Sequence, residues 1–191
     1  MEQIYHLLVT EKCDHNCKLC CNKFYDIDKL PSITTENLKE ATTVCITGGE
    51  PFLIAPRFLL SLCHRIRKQF PNVKNLYIYT SGSCFGRINF FDFAMIFTFI
   101  SGINIAPKNK HDWGCFIRFI QSPYVRSAIS RGGSFSNRLY VFEDQIENWE
   151  AVKEEFNIEL DSSWSVINRR WDSTFKTPEN EHFVRLPILY E

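Results

Sequence analysis

The sequence lacks the features that mark several broad classes of protein. Its 22 lysine and arginine residues are balanced by 22 aspartate and glutamate residues, so the formal net charge is zero. This balance gives no support to a broad polyanion-binding surface, and we expect no strong nucleic-acid-binding role. No apolar run approaches the roughly 20 residues that a membrane-spanning helix requires. We therefore expect no membrane association.

The start of the chain lacks a basic segment followed by a long apolar stretch, which is the pattern of a secretory signal peptide. The expected location is therefore cytoplasmic, where thiols are kept reduced. In that setting the eight cysteines are expected to be free thiols or metal ligands. Apolar residues make up 45% of the chain, and 17 residues are phenylalanine, which predicts a folded protein with an aromatic core.

Short strand-like runs alternate with helical apolar stripes along the chain. The runs predicted to be strands begin near residues 4, 44, 76, 102 and 138. Spacings of roughly 30–40 residues match a βαβ unit, so the pattern predicts an α/β fold with a parallel sheet. A complete eightfold barrel needs at least about 200 residues. The predicted architecture is therefore a partial parallel barrel of five or six βα units.

The apolar pattern weakens after residue 157. We therefore predict a core domain over residues 1–157 and a C-terminal extension over 158–191 that packs on the core or caps it. Within the extension, residues 183–189 are predicted to form one last strand. Pro187 would confine that strand to a sheet edge, because proline cannot donate to the ladder.

Four cysteines fall within nine positions directly after the first predicted strand. Three of them, Cys13, Cys17 and Cys20, form the pattern Cys-x3-Cys-x2-Cys, and Cys21 follows. One interpretation is free thiols, and another is zinc with Cys21 or His15 as the fourth ligand, although zinc ligands usually come in two separated pairs. An iron–sulfur cluster is normally held by four cysteines. A site with three cysteines would leave one iron open to bind a further ligand.

This spacing resembles the signature of the radical S-adenosylmethionine (SAM) enzymes. The resemblance implies that Cys13, Cys17 and Cys20 are the protein ligands of a [4Fe-4S] cluster. It implies that the fourth iron binds the amino and carboxylate groups of SAM. It further implies reductive cleavage of SAM to a 5′-deoxyadenosyl radical, which abstracts hydrogen from a substrate.

Two further segments strengthen this resemblance. The sequence Gly-Gly-Glu-Pro at 48–51 follows the second predicted strand and is similar to the family segment that holds the SAM amino group. The sequence Thr-Ser-Gly at 80–82 follows the third strand and resembles a Thr-Asn-Gly segment near the SAM ribose, with Ser81 where asparagine is usual. The cofactor-binding residues implied by the resemblance are Gly48, Gly49, Glu50, Thr80 and Ser81.

All three segments follow successive predicted strands at their carboxyl ends. In a parallel barrel those ends share one face, so we expect the three segments to form one site. The resemblance covers residues 4–106. Because two glycines let the backbone approach a bound molecule closely, we expect a branched side chain at Gly49 to weaken SAM binding and to spare the iron.

The resemblance implies a short-barrel radical SAM enzyme similar to the activating enzymes of glycyl-radical proteins. Few residues remain to cover the barrel, so we expect a protein or peptide substrate. The resemblance also implies an external flavodoxin- or ferredoxin-like electron donor. Two alternatives stay open. They are a small-molecule enzyme of the carboxy-deazaguanine synthase type and a non-catalytic zinc-binding interaction domain. The sequence assigns no catalytic residue.

Several polar residues outside the three segments are weaker candidates for a functional role. Lys108, Lys110 and His111 follow the fourth strand and would face the same site, but solvated loop charges are the preferred interpretation. Cys84 follows the Thr-Ser-Gly segment and is a candidate hydrogen-donor thiol. Arg169 is expected on a surface face.

Overall fold

The computed structural model describes residues 2–17, 20, 23, 26–131, 135–170, 172, 174 and 176–187. Within these residues, seven parallel strands form one open sheet in the order β6-β5-β4-β3-β2-β1-β7. The strands are β1 (Ile4–Leu8), β2 (Thr43–Thr47), β3 (Asn75–Thr80), β4 (Gly102–Ile105), β5 (Asn137–Phe142), β6 (Trp164–Arg169) and β7 (Glu181–Arg185).

Helices connect the first five strands in βα units. The six helices of the described chain are α1 (Thr35–Glu40), α2 (Pro56–Gln69), α3 (Phe90–Phe97), α4 (Lys110–Gln121), α5 (Pro123–Arg131) and α6 (Ile146–Glu155). None of them combines the length and the apolar composition that a membrane crossing would need.

The strand order is that of a barrel that does not close. Each strand from β1 to β6 lies beside its neighbour in the chain, and β7 pairs with the free side of β1. Across the described residues, β6 and β7 are therefore the two edges of the sheet. This arrangement is consistent with the predicted partial parallel barrel.

The two faces of the sheet differ in composition, because side chains alternate between them along each strand. On one face, Ile46 and Ile78 are fully buried and share a core with Leu59 of α2. The opposite face carries polar and aromatic side chains in two rows that are in register across the strands. These rows are His6, Cys45 and Tyr77, and then Tyr79, Asn104 and Arg138. The polar face is therefore the one that contributes Tyr79 and Asn104 to the cavity at the strand ends.

The aromatic core predicted from the composition is confirmed. Phe85 and Phe119 stack with their ring centroids 4.3 Å apart, and Phe93 packs edge-on against Phe85 at 5.0 Å. Phe52 lies 4.7 Å from Phe93. Because Phe52 follows directly on the Gly-Gly-Glu-Pro segment, this cluster anchors the loop after β2 in the core.

The structure confirms the five predicted strands and adds one. The added strand is β6, which the sequence pattern missed because Ser165, Asn168 and Arg169 interrupt the apolar alternation at an exposed edge. The last predicted strand is confirmed as the edge strand β7, shifted to Glu181–Arg185. The domain boundary after residue 157 stays a prediction.

Candidate iron–sulfur site

A cavity of about 360 Å³ opens at the carboxyl ends of the strands. It brings together all eight site residues expected from the sequence: Cys13, Cys17, Cys20, Gly48, Gly49, Glu50, Thr80 and Ser81. These residues and His15 form what we call the loop half, because they lie on or beside the loops after β1, β2 and β3. The strand half consists of Asn104, Lys108, Tyr140, Phe142 and Arg169.

The three cysteines face this cavity from the loop after β1. Burial raises the pKa of the Cys13 thiol to about 11 and also raises the pKa of Cys17, so both are protonated at neutral pH before a metal binds. Lys23 steadies the loop, since its Nζ donates to Asn16 Oδ1 at 2.7 Å and to the Cys17 carbonyl at 2.8 Å. Iron–sulfur clusters are held by thiolates, whose protons leave on binding. Three thiols on one cavity fit a cluster with three protein ligands.

Cys21 and His15 are the two residues that the sequence offers as a fourth metal ligand, and the structure describes only His15. Cys21 lies outside the described residues. His15 lines the cavity, but its ring nitrogen is directed to a carboxylate on α4. Within the described part of the chain, no group of three or more His, Cys, Asp or Glu side chains is close enough to hold a single metal ion.

His15 ties the cysteine loop to helix α4. Its Nε2 lies 3.0 Å from Oδ2 of Asp112, which is fully buried in the first turn of α4. The same oxygen accepts a hydrogen bond from the backbone N–H of Lys108 at 2.9 Å. The contact with the Asp112 carboxylate raises the pKa of His15, which favours an imidazolium that balances the buried carboxylate. The cysteine pattern alone did not reveal this clasp.

The two glycines after β2 pack against the chain that leads into the cysteine loop. Gly48 has a φ of +137°, and a Cβ there would collide with the Thr10 carbonyl. Gly49 donates to that carbonyl at 2.7 Å, and a Cβ on Gly49 would collide with the carbonyl of Lys12. The close approach expected from two glycines is therefore an approach to this chain's own backbone. A side chain at 49 is now expected to disturb the cysteine loop itself.

Glu50 joins the loops after β2 and β3. Its carboxylate is 1% exposed and accepts four hydrogen bonds, from the Thr80 hydroxyl at 2.7 Å, the Phe52 N–H at 3.2 Å, and the N–H and hydroxyl of Ser81 at 2.9 and 2.8 Å. Burial raises the pKa of Glu50, although these hydrogen bonds act in the opposite direction. Its lone pairs are thus already used within the protein.

The same network continues into the cysteine loop. The hydroxyl groups of Ser81 and Ser83 lie 3.1 Å apart, and Ser83 Oγ donates to Asp14 Oδ1 at 3.0 Å. Asp14 directly follows Cys13. The three loops of the loop half are therefore connected by hydrogen bonds before any cofactor is considered.

The strand half was missed by the sequence analysis. The Lys108 Nζ lies 3.8 Å from the ring centroid of Phe142, and the Arg169 guanidinium carbon lies 5.1 Å from that of Tyr140. Asn104 is 1% exposed, and neither its Oδ1 nor its Nδ2 has a hydrogen-bond partner among the described residues. Their positions near strand ends are the only sequence signal that could have pointed to them.

The remaining candidates separate into lining and non-lining residues. Lys108 and Arg169 line the cavity, so the interpretations as a solvated loop charge and a surface residue are incomplete. Lys110 and His111 are exposed at the start of α4 and do not line it. Cys84 is buried outside the lining, which gives no support to a role as hydrogen donor.

A family model described as a 4Fe-4S single cluster domain matches residues 4–101, just over half of the chain. The chain belongs to the 4Fe-4S single cluster domain family. This family is found in radical SAM proteins and therefore fits the resemblance given by the cysteine spacing. The 4Fe-4S match contains the three loops of the loop half and ends just before β4. A search of curated proteins finds no significant match.

Proposed function

We propose that this 4Fe-4S protein is a radical SAM enzyme. The bound cluster would supply one-electron cleavage of SAM to methionine and a 5′-deoxyadenosyl radical, which takes a hydrogen atom from a substrate. The electron is proposed to come from an external flavodoxin- or ferredoxin-like donor. The observation that carries the proposal is that segments from three separate strand ends, each with a counterpart in that family, line one cavity.

The loop half supplies a separate role for each segment. Cys13, Cys17 and Cys20 are proposed to hold the cluster and to leave one iron without a protein ligand. The backbone of Gly48 and Gly49 and the side chains of Thr80 and Ser81 are proposed to hold SAM beside that iron, because they line the same cavity. Glu50 contributes by positioning, since its carboxylate already fixes Thr80 and Ser81.

The substrate is proposed to be a polypeptide segment. A reactive radical has to be shielded from water during transfer. The sheet is open between β6 and β7, and the described residues after α6 contribute these two edge strands and no helix over the cavity. A segment that enters the open side would supply the missing cover. A small-molecule enzyme of the carboxy-deazaguanine synthase type is the alternative, because a cavity of about 360 Å³ is within the range of small-ligand pockets.

The decisive experiment starts from protein purified under anaerobic conditions. We expect a brown protein with four iron and four sulfide per chain, and 5′-deoxyadenosine after addition of SAM and dithionite. Cys17→Ala should lose both iron and 5′-deoxyadenosine. Cys63→Ala is the matched control, because Cys63 is buried in α2 outside the cavity.

Two results would overturn the proposal. A colourless protein that binds zinc at the three cysteines would favour the zinc-binding alternative. A protein that holds the full cluster but neither binds SAM nor forms 5′-deoxyadenosine would be a 4Fe-4S protein of another kind.

A further inference from the structure

The strand half of the cavity contains a buried side-chain amide that forms no hydrogen bond with any described residue. Asn104 is 1% exposed and lines the same cavity as the cysteine loop. Both atoms of its amide lack a hydrogen-bond partner among the described residues. Leaving a buried amide unsatisfied is costly, so its retention on a cavity wall indicates a ligand group that completes it.

Asn104 lies deeper in the partial barrel than the loop half. It is in register with Tyr79, one residue before Thr80 and Ser81. The cysteine loop begins still further out, beyond the end of β1 at Leu8. Asn104 therefore lies further from the strand ends than the residues proposed to hold SAM. This depth fits a substrate group better than it fits SAM itself.

Two cations lie at the rim of the same half. Arg169 ends the edge strand β6 and makes no ion pair within the part of the chain that the structure describes. Lys108 lies on the loop after β4. Glu50, the one Asp or Glu among the described lining residues, already accepts four hydrogen bonds. The strand half therefore attracts an anionic group.

The aromatic rings of this half are already in use. Lys108 covers the ring of Phe142, and the ring of Tyr140 contacts both Arg169 and Tyr79, whose centroid is 6.4 Å away. Recognition of a nucleobase usually needs a ring face for stacking. Because each of these rings already contacts a cation, the amide of Asn104 is better suited to a peptide group, which offers an adjacent N–H and C=O without stacking.

We infer that Asn104 and Arg169 recognise an acidic polypeptide segment that enters between β6 and β7. Asn104 pairs with a backbone amide of the segment, and Arg169 pairs with a carboxylate side chain. This inference rests on the proposed function, because it takes the segment to be the substrate. Asn104 and Arg169 are separated by two strand spacings and four residues of register, so their Cα atoms lie about 16 Å apart. Their side chains and a peptide of about three residues cover that span.

The test measures binding of blocked tripeptides to the anaerobically prepared protein with SAM. The probes are acetyl-Gly-Gly-Glu-amide, its neutral counterpart acetyl-Gly-Gly-Gln-amide, and uridine monophosphate. We expect the glutamate peptide to bind about tenfold more tightly than the glutamine peptide, with no binding of the nucleotide. Asn104→Leu and Arg169→Gln should each weaken binding of the glutamate peptide by about tenfold.

Matched controls separate recognition from general damage. Ser122→Ala removes another buried and unpartnered polar group away from the cavity, and Arg170→Gln removes the arginine next to Arg169. Both should bind the peptide as the parent does. Asn104→Leu should also raise the melting temperature of the protein without peptide, because it removes an unsatisfied amide. A purely structural asparagine would give the opposite shift.

The outcomes are distinct from those that test the proposed function. No binding of the glutamate peptide at about 10 mM, equal binding of the two peptides, preference for the nucleotide, or unchanged binding by Asn104→Leu would each overturn the inference. Iron content and 5′-deoxyadenosine formation with SAM alone are measured separately from peptide binding. If these fail while the peptide still binds through Asn104 and Arg169, the radical SAM proposal fails and the recognition site stands.

Discussion

The two halves of the cavity are built in different ways. The loop half is held by backbone packing and by a buried carboxylate whose hydrogen bonds are all made within the protein, as Gly49 and Glu50 show. The strand half consists of side chains from β4, β5, β6 and the loop after β4, and it keeps the Asn104 amide, which has no hydrogen-bond partner among the described residues. The three loops of the loop half are connected within the protein alone, whereas the Asn104 amide of the strand half would gain its partners from a ligand.

This difference separates preorganisation from recognition. A cluster and a cofactor require fixed geometry, and the loop half supplies it before they bind. A substrate has to be distinguished from other molecules, and unsatisfied polar groups do this because they penalise a ligand that cannot complete them. The following variants test whether the loop half is as rigid as its contacts indicate.

The largest effect is expected for Gly49→Ala. The added Cβ would collide with the carbonyl of Lys12, which is backbone and cannot rotate away. We expect a loss of about 3 kcal/mol in the free energy of unfolding, measured with urea, together with loss of iron. Gly114→Ala is the matched control, because the space around Gly114 in α4 is open. It should stabilise the protein by about 0.5–1 kcal/mol. A Gly49→Ala protein with parental stability and iron content would show that the loop half is more adaptable than its packing suggests.

An intermediate effect is expected for His15→Ala. This change leaves the fully buried carboxylate of Asp112 without its charged partner. We expect a cost of about 2 kcal/mol, because Asp112 loses this partner and keeps the Lys108 N–H, and faster loss of iron to a chelator, because the cysteine loop is released from α4. His64→Ala is the control, since His64 is exposed on α2, and it should match the parent in both assays. Equal iron retention in the His15 and His64 variants would show that the contact between His15 and Asp112 does not hold the cysteine loop in place.

Most of the loop half could be predicted from the sequence, because its geometry requires particular residue types at fixed spacings, which are recognisable as motifs. Cysteine spacing, two glycines and the turn after β3 stand at fixed distances from strand ends, so parallel topology alone places them on one face. The strand half leaves no such record. Asn104 and Arg169 are polar residues in strands that belong to no motif, and only the three-dimensional structure reveals that they share a cavity.

The fold shows the same contrast. Buried strands with aliphatic runs were predicted, whereas β6 was missed because an edge strand needs no continuous apolar run. The clasp between His15 and Asp112 was also missed, since it joins residues 97 positions apart and neither belongs to a recognisable motif. Long-range polar pairs depend on how the helices pack, which local patterns do not encode.

The smallest effect is expected for Glu50→Gln, and it should depend on pH. A glutamine keeps the shape but turns an NH2 group toward donors such as the Ser81 N–H, so we expect a cost of about 1 kcal/mol at pH 4. Burial raises the pKa of Glu50 above its ordinary value of 4.5. The folded parent therefore binds the Glu50 proton more tightly than the unfolded chain does. The contribution of Glu50 to the free energy of unfolding is greatest below pH 4.5 and declines as the pH rises through the raised pKa.

Glutamine has no proton to lose, so the difference in unfolding free energy between parent and variant should shrink as pH rises from 4 to 7. Urea unfolding at several pH values measures that difference, with Glu147→Gln on the exposed face of α6 as the control for the same substitution at the surface. A difference that grows with pH would mean that the four hydrogen bonds to Glu50 outweigh its burial. The carboxylate would then stabilise the loop half as a charged group, and the connection that Glu50 makes between the loops after β2 and β3 would be strongest at neutral pH.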